Sequence, residues 1–124
     1  MKGHRTILAG ICVSAGITLL AAAAWAYQAV TIAAILESPS WYDGKEVRVC
    51  AQAYHVKQKT SKAGNPYTSF RIKEEESRRT LGVYFRGTAP IRDNQNVCVT
   101  GVFNITKKVG EYTFENQIEA TEVR

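Results

Sequence analysis

The sequence predicts an all-β fold, a small five-stranded barrel, preceded by a short helix and an N-terminal export segment. Three observations carry this. The chain has 124 residues, 45% hydrophobic and 22% charged, which is the size and composition of one ordinary globular domain and excludes wholesale disorder. After Gly44, five segments alternate apolar and polar residues with the period of a half-buried strand. The stretches between them are short and rich in Gly, Pro, Asn and Asp, too short for a long helix. Five short antiparallel strands in roughly 80 residues fit a closed barrel better than an open sheet, whose two edges would be left exposed.

The elements follow in chain order. Lys2 and Arg5 give a positive start, Thr6 to Ala23 is apolar and uncharged, and Ala24-Trp25-Ala26 sets small residues where signal peptidase reads. Residues 1–26 therefore read as a signal peptide, with the mature chain starting at Tyr27. The alternative is an uncleaved membrane anchor, since the run from Ile7 to Ala26 is long enough to cross a bilayer. Cys12 follows Ile11 rather than a small residue and lies inside the apolar run, so it reads as part of the export segment and not as a lipidation site. Either way the globular part, residues 27–124, is expected outside the cytoplasm, periplasmic or extracytoplasmic, and held to the inner membrane if the segment is retained.

Thr31 to Glu37 predicts a short amphipathic helix, stopped by Ser38-Pro39. Asp43-Gly44 is a turn. Val47, Val49, Ala51 and Ala53 then face one way, and Arg48, Cys50, Gln52 and Tyr54 the other. Lys57 to Pro66 reads as a polar loop. Phe70 and Ile72 alternate with Ser69, Arg71 and Lys73 in a second strand. Glu74 to Arg79 is a charged turn into Leu81, Val83 and Phe85, which alternate with Gly82, Tyr84 and Arg86. Gly87 to Asn96 is a connector, and Val97 and Val99 carry a fourth strand through Phe103, with Gly101 at the sharp bend a tight barrel needs. Lys107 to Gly110 is a tight turn, and Tyr112 to Val123 is the fifth strand.

The stretch Tyr42-Asp43-Gly44-Lys45 followed by Val47-Arg48-Val49 resembles the start of strand one in small exported bacterial OB-fold proteins of the nucleic-acid-binding-like group. Gly64-Asn65-Pro66-Tyr67, Val97 to Gly101, Gly110 to Phe114 and Ile118-Glu119-Ala120 extend the likeness over about residues 30–124. A weaker resemblance is to the OB-fold haem chaperone of cytochrome c maturation, carried by Val83 to Gly87 and Val97 to Gly101. That family binds haem through a histidine in a segment after the barrel, whereas this sequence has only His4 and His55. Haem is thus expected only under that second reading, as part of a membrane-anchored assembly factor, and otherwise no cofactor is expected.

The chemistry visible in the sequence is that of binding. No G-x-S-x-G, H-E-x-x-H, phosphate-binding loop or G-x-G-x-x-G motif occurs, and with His55 as the only histidine after the export segment a conventional histidine-based triad or a multi-histidine metal site is hard to build, so neither an enzyme nor a metal site is expected. Glu74-Glu75-Glu76 reads as a solvated run partly neutralised by Arg78 and Arg79. After Ala26 there are 14 basic and 11 acidic residues, a net +3 that permits anionic partners without requiring them. The OB resemblance implies a ligand lying across strands two and three, flanked by the loops that join strands one to two and four to five. On that face Lys59, Lys62, Tyr67, Arg71, Tyr84, Arg86 and Lys107 offer cations for a phosphate backbone and rings for stacking, as single-stranded nucleic acid requires. A glycan, another anionic oligomer or a partner protein would suit the same groups, and polar residues on the outside of alternating strands need no ligand at all.

Cys50 and Cys98 are the only cysteines after the export segment, an even number in a compartment that oxidises thiols. Both have the parity of outward-facing residues. The OB topology implied by the resemblance sets strands one and four side by side, which allows a disulfide enclosing 47 residues, a constraint of about 3–4 kcal/mol. Two free thiols, or a redox-active or haem-contacting pair, are the alternatives.

Overall fold

The computed structural model describes residues 29–124; the export segment read over residues 1–26, with His4 and Cys12, lies outside them. Two short helices, α1 (Ile32–Glu37) and α2 (Pro39–Tyr42), precede five strands: β1 (Glu46–Thr60), β2 (Pro66–Lys73), β3 (Thr80–Arg86), β4 (Asn96–Val109) and β5 (Tyr112–Val123). The Thr31 hydroxyl caps α1 by accepting the Ala34 N–H at 3.0 Å. Pro39 ends α1 as expected, but it also opens α2 at the first helical position, where its missing N–H costs nothing.

The strands form one sheet in the order β1-β2-β3-β5-β4, with β1 pairing β4 through its first half and β2 through its second, so the sheet closes on itself. The expectation that every pair is antiparallel needs correction, because β3 and β5 run parallel. The reason is topological: an odd number of strands cannot close with every neighbouring pair antiparallel. Two strands are also longer than the sequence suggests. β1 runs to Thr60 and β4 to Val109, so Lys57, Lys59 and Lys107 sit on strands rather than in loops. Those extensions are ladder-bonded ribbons beyond the core, solvated on both sides, and therefore carry no apolar alternation.

The core is built from the predicted inward set. Val47, Val49, Ala53, Phe70, Ile72, Leu81, Val83, Val97 and Val99 of that set are buried, while Ala51 and Phe85 are only half-buried; Phe103 and Ile118, Ile32 and Ile35 of α1, and Ala89 and Ile91 of the connector complete the core. Thr68 is the one buried polar residue among those described. Its hydroxyl donates to the Gly87 carbonyl at 2.9 Å and accepts the Ala89 N–H at 3.0 Å, so it pins the connector and leaves no polar atom unsatisfied. Gly101 marks the register shift where β5 bulges at Thr121 against β4; a Cβ there would fall on the Glu119 carbonyl oxygen and the Ala120 Cα.

Glu74 departs from the solvated reading. Its carboxylate accepts the N–H groups of Ile32 (2.9 Å) and Ala33 (3.0 Å) and the Ser77 hydroxyl (2.9 Å). The β2–β3 turn thereby fastens the first turn of α1, whose free N–H groups attract a carboxylate.

Cys50 and Cys98 are joined, with an S–S distance of 2.08 Å and a Cα–Cα distance of 4.0 Å. They are direct partners on the β1–β4 seam. The N–H and C=O of Cys98 both bond to Arg124 on the β5 side, so the cysteines form the non-hydrogen-bonded, closely spaced kind of antiparallel pair. Cys50 is exposed and Cys98 half-buried, in keeping with outward parity.

Candidate functional site

The outward face of β1, β2, β3 and β5 carries three rungs of side chains set by strand register. The first runs Tyr54, Arg71, Gly82, Gln117. The second runs Lys57, Ser69, Tyr84, Glu119, and the third Lys59, Tyr67, Arg86. Tyr54 and Lys57 lie on the same face because a bulge in β1 inserts one extra residue, setting His55 and Val56 opposite Phe70 alone. His55 takes a left-handed φ of 52° there, and Asp93 Oδ1 accepts the Val56 N–H at 2.8 Å.

Each rung has a distinct character. Arg71 lies across β3, where Gly82 leaves room: a Cβ at Gly82 would stand 3.4 Å from the Arg71 guanidinium. Arg71 Nε donates to the Tyr54 hydroxyl at 3.3 Å and Nη2 to Thr80 Oγ1 at 2.9 Å. The guanidinium is thus oriented by neutral hydroxyls, and no carboxylate among the described residues forms an ion pair with it. Tyr67 and Tyr84 are diagonal neighbours whose rings stack with centroids 5.3 Å apart and planes 28° from parallel. The third feature is a charge relay across β3, β5 and β4. Glu119 forms ion pairs with Arg86 at 3.6 Å through one oxygen and with Lys107 at 3.1 Å through the other.

The structure therefore brings Lys59, Tyr67, Arg71, Tyr84 and Arg86 together on one sheet face, and ties Lys107 to that face through Glu119. Lys62 stands apart, exposed in the turn between β1 and β2. Lys57, Lys59 and Lys62 form no ion pair among the described residues. Sequence reasoning missed the pairing of Gly82 with Arg71, whose guanidinium packs over the glycine. It also missed Glu119, which looks in sequence like any outward acid on an alternating strand.

Elsewhere, among the described residues, no three His, Cys, Asp or Glu side chains come together as a metal site would require, and no helix is long and apolar enough to cross a membrane. His55 is exposed and meets the Tyr54 ring edge-on at 4.8 Å. In comparisons with known proteins, no family model matches the chain and no curated protein matches it.

Proposed function

We propose that the protein is an exported, non-catalytic binding module of the OB type, whose β2–β3 face takes single-stranded nucleic acid or a chemically similar anionic oligomer. The OB reading draws support from the closed β1-β2-β3-β5-β4 order with its long β1 shared between two neighbours. The observation that carries the ligand class is the pairing of ring and charge. The Tyr67–Tyr84 stack is flanked on the same face by Arg71, Lys57 and Lys59, none of which forms an ion pair with a carboxylate among the described residues. Rings supply base stacking that tolerates any sequence, and unpaired cations follow the backbone. The reading of the protein as a membrane-anchored haem-carrying factor has less to support it, since the described residues hold one histidine, exposed on β1 and outside the barrel core.

Fluorescence anisotropy with a labelled single-stranded oligonucleotide, a duplex of the same sequence and a sulfated glycan tests this. Single strands should bind best, and Tyr84→Ala should weaken that binding by about 1–3 kcal/mol. Equal affinity for the glycan and for Tyr84→Ala would remove the stacking role and leave a generic cationic face.

A further inference from the structure

Among the described residues, the large apolar side chains that remain exposed lie on the β4–β5 hairpin and on α2, whose following turn is bonded to the root of that hairpin. They are Trp41 (67% exposed), Val109 (46%), Tyr112 (71%) and Phe114 (39%). The last three lie on the tip of the β4–β5 hairpin. Register sets Val109 opposite Tyr112 and Lys107 opposite Phe114, and the Tyr112 and Phe114 rings meet at 6.5 Å. The hairpin thus carries exposed apolar side chains past the end of the core, and among the described residues no further element covers them.

Trp41 joins the same end through α2. Asp43 Oδ1 accepts the Ile105 N–H at 2.9 Å, the Gly44 N–H donates to the Phe103 carbonyl at 2.7 Å, and the Phe103 N–H donates to the Lys45 carbonyl at 3.0 Å. These bonds hold the Trp41–Lys45 turn against the root of the hairpin, and Lys45 Nζ sits 3.3 Å from the Trp41 ring centroid. Lys107 and Lys108 flank the tip.

We propose that this end of the barrel docks on the surface of an anionic lipid bilayer. Exposed Trp and Tyr rings beside lysines are the groups that settle at the headgroup level, and lysines are drawn to anionic headgroups. The chain outside the described residues points the same way. Its uncharged run, Thr6 to Ala23, ends six residues before Ala29, so a bilayer holding that run would lie within about 22 Å of the domain. A second copy of the chain is the poorer occupant, because a self-paired patch would set Lys45, Lys107 and Lys108 against their own equivalents. The proposal shares Lys107, which pairs with Glu119, with the ligand face and otherwise rests on residues outside it.

The full chain carrying Trp25→Phe, which leaves Trp41 as its sole tryptophan, is reconstituted into vesicles of phosphatidylcholine alone or mixed with phosphatidylglycerol. Lipids brominated close to the headgroup report contact by quenching. We expect Trp41 emission to shift to the blue and to be quenched about three-fold more with phosphatidylglycerol present, an increment lost in high salt. Tyr112→Ser with Phe114→Ser, and separately Lys108→Glu, should each abolish most of it without changing the circular dichroism, since all three residues are exposed. Trp41 emission as unquenched as in water would overturn the proposal. So would quenching that ignores both the lipid charge and the hairpin variants, or a cross-linked dimer whose formation accounts for the shift in vesicle-free solution.

Discussion

Replacing Cys50 and Cys98 together with alanine removes the covalent link across the β1–β4 seam, the place where the sheet closes. The size of the effect follows from the structure. The cysteines are separated by 48 positions, so the disulfide removes about 4 kcal/mol of loop-closure freedom from the unfolded chain. Native-state terms are small by comparison. Cys50 is exposed and Cys98 half-buried on the outer face, so truncating both opens no cavity in the core. The loss should therefore come almost wholly from the unfolded state. For a domain of this size it lowers Tm by about 15–30 °C and raises the urea m-value, because the unlinked chain unfolds to a more open ensemble. Urea unfolding of the oxidised protein and the double variant, followed by far-ultraviolet circular dichroism, measures both quantities. A loss below about 1 kcal/mol, or an m-value that does not rise, would refute the loop-entropy reasoning.

Three further predictions rest on other contacts. Glu74→Ala takes two acceptors from the first turn of α1, and a thermal melt should show a loss of about 1–2 kcal/mol, while Glu75→Ala, whose side chain is exposed, should change little. Gly101→Ala places a methyl on the backbone of β5, and chemical denaturation should show a loss of about 3 kcal/mol or an unfolded product. Glu119→Gln frees Arg86 and Lys107 from their shared carboxylate, so affinity for an anionic oligomer, read by anisotropy, should rise about three- to ten-fold at low salt and less at high salt.

The barrel's interior was legible because alternation is a local signal. Val47, Val49, Phe70, Ile72, Leu81, Val83, Val97 and Val99 are all buried where their parity puts them, and the same parity faces Cys50 and Cys98 outward. What escaped is what alternation does not encode. The polar ends of β1 and β4 are held by ladder hydrogen bonds outside the core, so Lys57, Lys59 and Lys107 read as loop residues. Glu74 acquires its partners from α1, 41 and 42 residues away in sequence, which no pattern around Glu74-Glu75-Glu76 announces. The parallel β3–β5 pair could have been deduced without a structure, since a five-membered ring of strands requires one. The ligand face was half legible: its rings and cations follow from parity, but Gly82 beneath Arg71 and Glu119 between Arg86 and Lys107 depend on cross-strand register.

Binding of a single-stranded oligothymidylate as a function of salt bears most directly on the proposed ligand face. Lys57, Lys59, Arg71 and Arg86 offer up to four phosphate contacts along the rungs, so log K against log salt should fall with a slope of about −2 to −3. Arg71→Ala removes one contact, and the slope should become shallower by about 0.7. No measurable binding at low salt, or an Arg71→Ala slope equal to that of the unaltered protein, would contradict the assignment of this face to an anionic strand.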